Sequence, residues 1–101
     1  MQDTITKGRT EAELKTERPK LYKVILHNDD FTPREFVTLV LKVEFRMGED
    51  RARGVMITAH QKGSCVVSVF PRDVAESKAT TATDAGRERG FPLLFTAEPE
   101  E

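Results

Sequence analysis

The chain has 101 residues, 38% of them hydrophobic and 33% charged, with a formal net charge of −1. That size and balance describe one small globular domain, and the near-neutral charge provides no broad field for nucleic acid or a membrane surface. A single cysteine, Cys65, excludes an internal disulfide and fits a cytoplasmic location, while no apolar run approaches the roughly 18 residues of a membrane span and the polar start lacks a signal-peptide core.

Residues 1–19 scatter Ile5, Ala12 and Leu14 among Lys, Arg, Asp, Glu and Thr. So little apolar surface cannot offset the entropy of ordering, so a disordered N-terminal arm is expected, either a passive terminus or a functional tether. LYKVILH, from Leu21 to His27, reads as a strand with Tyr22, Val24 and Leu26 on one face. Asn28-Asp29-Asp30 then suits a turn, because these side chains hydrogen-bond their own backbone. Thr32-Pro33-Arg34-Glu35 reads as a capping box, with Thr32 as N-cap, Pro33 at the first helical position and Glu35 at the third. The helix that follows presents Phe36, Val40 and Val43 on one side, with Val37 and Leu41 beside them.

Gly48 interrupts that pattern, and Glu49 and Asp50 favour a second helix running to about His60, with Ala52, Val55, Met56 and Ala59 inward and Gly63 as its stop. Ser64 to Phe70 alternates as a second strand, with Cys65 reading as a small core residue. Pro71-Arg72-Asp73 opens a third helix to about Arg89, closed by Gly90. Pro92 to Phe95 reads as a last strand placed at an edge by its proline, and Glu98, Glu100 and Glu101 read as a frayed acidic end. The order β-α-α-β-α-β describes an α+β domain, a small sheet covered by helices, with the arm at 1–19, the core at 20–97 and the acidic end at 98–101.

Three chemistries would recruit His60 together with Asn28, Asp29 and Asp30. A metal site has ligands of adequate kind in the two histidines and two aspartates, but their spacing matches no familiar pattern and Asn is a poor transition-metal ligand. Catalysis would use Cys65 as nucleophile and His60 as base. Recognition of a cation such as a protonated α-amino group would use the Asn28 carbonyl, a carboxylate and a neutral imidazole nitrogen as acceptors, beside an apolar hole formed by Leu26, Val37, Met56 and Leu93. On spacing alone, a plain Asx-turn beside a solvated histidine remains an alternative.

The segments YKVILHNDDFTPREFV, MITAHQKG, VFPRDVAESK and RGFPLLFT, within Arg18 to about Thr96, resemble the ClpS family of bacterial adaptors, which select substrates of the ClpAP protease by their N-terminal residue. The resemblance implies three antiparallel strands with three helices, a fold similar to the C-terminal domain of the ribosomal stalk protein. It implies that Asn28, Asp29 and His60 bind the α-amino group, and that Asp30 and Thr32 support the turn and the first peptide unit. Leu26, Val37, Met56, Ala59 and Leu93 would line a pocket for Phe, Leu, Tyr or Trp. Asp73, Glu76 and Lys78 would dock on the N-terminal domain of the ClpA unfoldase, and the arm would serve substrate hand-off. On this reading the chain is a monomeric adaptor, not an enzyme, with no cofactor. The alternative is a module that binds a Clp ATPase without selecting N-termini.

Three departures stand out. Arg34 occupies the position of a Met that helps gate the pocket, Ala59 stands where Val is common, and the third helix is unusually polar. They suggest a divergent copy, such as the second paralogue of some alphaproteobacteria. Because a cation is poorly placed in the first turn of a helix, the Arg34 head is expected to turn to solvent or Asp30 while its methylenes cover the pocket rim.

Overall fold

The structure is a computed structural model that describes residues 20–100; the expected arm at 1–19 lies outside the described residues. Strand β1 (Leu21–His27) is followed by α1 (Arg34–Glu44), α2 (Glu49–Lys62), β2 (Ser64–Pro71), α3 (Arg72–Arg87) and β3 (Leu94–Pro99). The order is the expected β-α-α-β-α-β. β1 is the central strand of a three-stranded antiparallel sheet ordered β2-β1-β3. Its register with β2 shifts between Val24 and Ile25, where Val67 is the extra residue of a bulge and points into the core, 1% exposed.

The helices pack on the sheet through Val24 and Leu26 of β1, Val40 and Leu41 of α1, Ala52 and Val55 of α2, and Val67 and Phe95 of the flanking strands. In α3 the buried positions are Ala75, Ala79, Ala82 and Gly86, a stripe of small residues along an otherwise polar helix. That stripe explains the composition of α3: small side chains let it lie close, and the polar ones face outward.

Several local expectations are corrected. Thr32 does not cap α1; Pro33 takes the N-cap position with no side-chain cap bond, because the Thr32 hydroxyl donates to Asp29 Oδ2 at 2.9 Å. The buried stripe of α1 is Val37, Thr38, Val40 and Leu41, while Val43 is 63% exposed; the stripe is rotated relative to the Phe36-Val40-Val43 line. α1 also ends before Gly48. Arg46 adopts φ 53°, the left-handed conformation of a C-terminal cap, and the Phe45 and Met47 N–H groups donate back to the Leu41 carbonyl. The last strand begins at Leu94, not Pro92, and runs past the expected fraying point. Glu98 pairs with Lys23, Pro99 with Tyr22, and the Glu100 N–H donates to the Leu21 carbonyl at 2.9 Å. Pairing with the central strand fixes an end that charge alone would leave loose.

Candidate functional site

The Asn28–Asp30 turn sits between β1 and α1, and its position is set by the end of α2. Gly63 closes that helix at φ 95°, in the left-handed region that glycine tolerates, and its carbonyl accepts the Asn28 N–H at 2.9 Å. This bond brings Asn28 beside the last turn of α2, which carries His60. Asp29 ties the turn itself. Its Oδ1 accepts the N–H groups of Phe31 at 2.8 Å and Thr32 at 2.7 Å, and its Oδ2 accepts the Thr32 hydroxyl. The turn support expected of Asp30 is therefore supplied by Asp29 with the buried Thr32. Asp30 is exposed and makes no side-chain hydrogen bond to another described residue.

A cavity of about 320 Å³ opens at this turn. Leu26 of β1, Val37 of α1, Met56 and Ala59 of α2, and Leu93 ahead of β3 supply its apolar walls, and all five are buried. Asn28, Asp29, Asp30, Arg34 and His60 line its polar side. The site residues read from the sequence around the turn thus converge on one concavity. His27, weighed from the sequence only as a metal ligand, also lines it, as do Phe31 and Pro33, which were not anticipated. Phe31, 78% exposed, is an aromatic ring at the mouth, and its place next to the acidic turn was the available signal. His27 is engaged elsewhere, with Nε2 at 2.8 Å from the Thr96 hydroxyl.

Arg34 is exposed, as expected, but its partner is not Asp30. Its guanidinium donates to His60 Nε2 at 3.0 Å. Since guanidinium only donates, Nε2 acts as acceptor and the ring proton sits on Nδ1. The direction has an electrostatic reason. The head leaves the positive N-terminal end of α1 for the last turn of α2, where unpaired carbonyls make the helix end negative.

Leu93 depends on a residue the sequence reading passed over. A Cβ built on Gly86 would stand 2.6 Å from the Leu93 Cβ, so only glycine leaves room for this wall of the cavity. Cys65 lies outside the cavity lining, and partial burial pushes its thiol up, against the opposing pull of Lys62 and Arg51. A thiol held protonated is poorly suited to serve as a nucleophile for His60. Among the described residues no three His, Cys, Asp or Glu side chains gather as a metal site. Asp73, Glu76 and Lys78 lie on α3 and share no part of the cavity lining. Asp73 and Glu76 are exposed, with Glu76 paired to Arg72 at 3.1 Å, whereas the half-buried Lys78 donates to the Glu44 carbonyl at 2.9 Å and ties α3 to the end of α1.

A family profile described as "ATP-dependent Clp protease adaptor protein ClpS" matches residues 17–96. The ATP-dependent Clp protease adapter protein ClpS 1 of Bradyrhizobium diazoefficiens is 69% identical over the full length of both chains. The ClpS 2 protein of Mesorhizobium japonicum is 66% identical, again over the full length of both. Among solved structures, Agrobacterium tumefaciens ClpS2 bound to L-phenylalaninamide superposes with a TM-score of 0.81 at 69% identity, covering 82% of this chain and 100% of that one.

Proposed function

We propose, from the fact that this chain belongs to the ClpS family of ATP-dependent Clp protease adaptor proteins, that it is a non-enzymatic adaptor whose cavity holds the free N-terminal residue of a substrate. It then delivers that substrate to the protease. The observation that carries this reading is the pairing of an apolar-walled cavity with acceptors at its mouth: the Asn28 amide carbonyl, the Asp29 carboxylate, the Asp30 carboxylate, which bonds to no other described residue, and His60 Nε2, which an ammonium would take over from Arg34. An α-ammonium offers three donors to such a set, and the side chain on the same carbon reaches the apolar walls. L-phenylalaninamide, the ligand of the similar Agrobacterium structure, combines the same two features, a free amine and an apolar ring.

In this function Asn28, Asp29 and His60 receive the amine, with the neighbouring Asp30 carboxylate beside them, and Asp29 uses the lone pair left over after it ties the turn with Thr32 at the first peptide unit. Leu26, Val37, Met56, Ala59 and Leu93 receive Phe, Leu, Tyr or Trp. Asp73, Glu76 and Lys78 dock on the N-terminal domain of the ClpA unfoldase in the cytoplasm. Their separation from the cavity lining supports an adaptor that holds both partners at once. Residues 1–19 act as the tether that hands the substrate over, appended to a core of 20–97.

Titrating peptides that differ only in their first residue tests the reading. Phe, Leu, Tyr and Trp peptides are expected to bind, and peptides beginning with Gly or Ser to bind at least about tenfold more weakly, since they leave the apolar walls uncovered. Indifference to the first residue would reduce the protein to an ATPase-binding module.

A further inference from the structure

We infer that the groove between α1 and α2 is a second recognition surface, which receives the apolar side chains of the residues that follow the N-terminal one in the substrate chain. This inference rests on the cavity holding that N-terminal residue. The two helices run antiparallel. Arg34 at the start of α1 meets His60 at the end of α2, and Lys42 near the end of α1 meets Glu49 at the start of α2, at 2.6 Å. Between these contacts lies a concavity of about 460 Å³.

Its floor is apolar. Leu39 of α1 and Ile57 of α2 line it and are 48% and 40% exposed, large apolar side chains that no described residue covers. The Thr38 hydroxyl is turned into its own helix, donating to the Arg34 carbonyl at 3.0 Å, so it adds no free polar group to the floor. The far end is closed by Glu49, bonded to both Lys42 and Arg53.

Continuity decides the occupant. Arg34 and Met56 line both this groove and the N-terminal residue's cavity, so they form the wall between the two. A chain whose amino group is held beside His60 leaves the cavity mouth at Arg34, where the groove begins. From Arg34 to Lys42 the groove spans about 12 Å at the helical rise of about 1.5 Å per residue, room for about three or four extended residues. An extended segment alternates its side chains, so one or two of these face the floor.

The test uses the full chain and three ligands: phenylalaninamide, Phe-Ser-Ser-Ser-amide and Phe-Leu-Leu-Leu-amide. The leucine peptide is expected to bind about tenfold more tightly than the serine peptide, from burial of one or two apolar side chains. Leu39→Asp and Ile57→Asp are each expected to remove most of that advantage while leaving phenylalaninamide affinity unchanged, since neither residue lines the cavity. Equal affinity of the two peptides for the wild type, or an advantage that survives both substitutions, would overturn the groove while phenylalaninamide binding still stands. Loss of phenylalaninamide binding in the wild type itself would overturn the cavity reading, and the groove with it.

Discussion

Both oxygens of Asp29 are occupied by the N–H groups of Phe31 and Thr32 and by the Thr32 hydroxyl, while its neighbour Asp30 is bonded to no other described side chain or backbone group. Asp29→Ala is therefore expected to lower the unfolding free energy by about 1–2 kcal/mol, since a partly buried threonine would lose its partner. Asp30→Ala should change stability by less than about 0.5 kcal/mol yet weaken peptide binding by about 1.5 kcal/mol. Urea titrations beside binding isotherms separate the two; equal stability losses would contradict the division of roles. The Asn-Asp-Asp run announced a turn with spare acceptors, but not which carboxylate would tie it, because Asp29 and Asp30 are chemically identical until the backbone aims them. Arg34 is a parallel case. Its bond to His60 means that an incoming ammonium competes with a guanidinium already in place. Removing the competitor by Arg34→Met is expected to raise affinity for a Phe peptide by about two- to fivefold, the scale of one exposed charge-assisted contact. Unchanged affinity, measured by calorimetry at low and moderate salt, would make Arg34 a bystander.

At the scale of elements, the limits of β1, those of β2 to within a residue, and the inward face of α2 were legible because alternation and the 3.6-residue period were clear there. The expected Ala52, Val55, Met56 and Ala59 are the buried positions of that helix. The stripe of α1 was misread by a fraction of a turn, since apolar residues at 36, 37, 40, 41 and 43 surround more of that helix than one face can bury. The reach of β3 was hidden because Glu98 and Pro99 carry no strand signal and are held by pairing with β1. Gly86 was passed over for a related reason, because a close approach between α3 and Leu93 leaves no mark on local pattern. Gly86→Ala should gain about 1 kcal/mol of helix propensity, but its Cβ would displace Leu93. The expected net result is a loss of about 1–3 kcal/mol in stability with weaker binding of a Phe peptide, because the displaced side chain is a cavity wall. A variant as stable as wild type with full binding would contradict this packing. Between α1 and α2, Lys42 and then Arg53 hold the Glu49 carboxyl below its usual range. A depressed folded value stabilises above the unfolded one and is lost as pH falls through the folded one, so acid should loosen this tie. Glu49→Gln should flatten that part of the pH–stability profile; an unchanged profile would remove Glu49 from it.

For the molecule as a whole, the proposed function would divide an adaptor's work among the cavity for holding, α3 for docking and the N-terminal segment for handing over. The family match begins at residue 17, so residues 1–16 lie outside it. Deleting residues 1–17 is expected to leave peptide binding and docking intact while slowing degradation of a model substrate by ClpAP; undiminished degradation would make the segment a passive terminus. The central claim is that the cavity reads a free, charged amine together with an apolar side chain. Calorimetry of phenylalaninamide against N-acetyl-phenylalaninamide isolates that amine, since both ligands carry the same ring. Free amine should bind and the acetylated form should fall about a hundredfold or more, having lost its charge and two of its three donors while Asp30 and His60 are still desolvated. Affinities within about twofold of each other would contradict the assignment of these acceptors to an N-terminal amine.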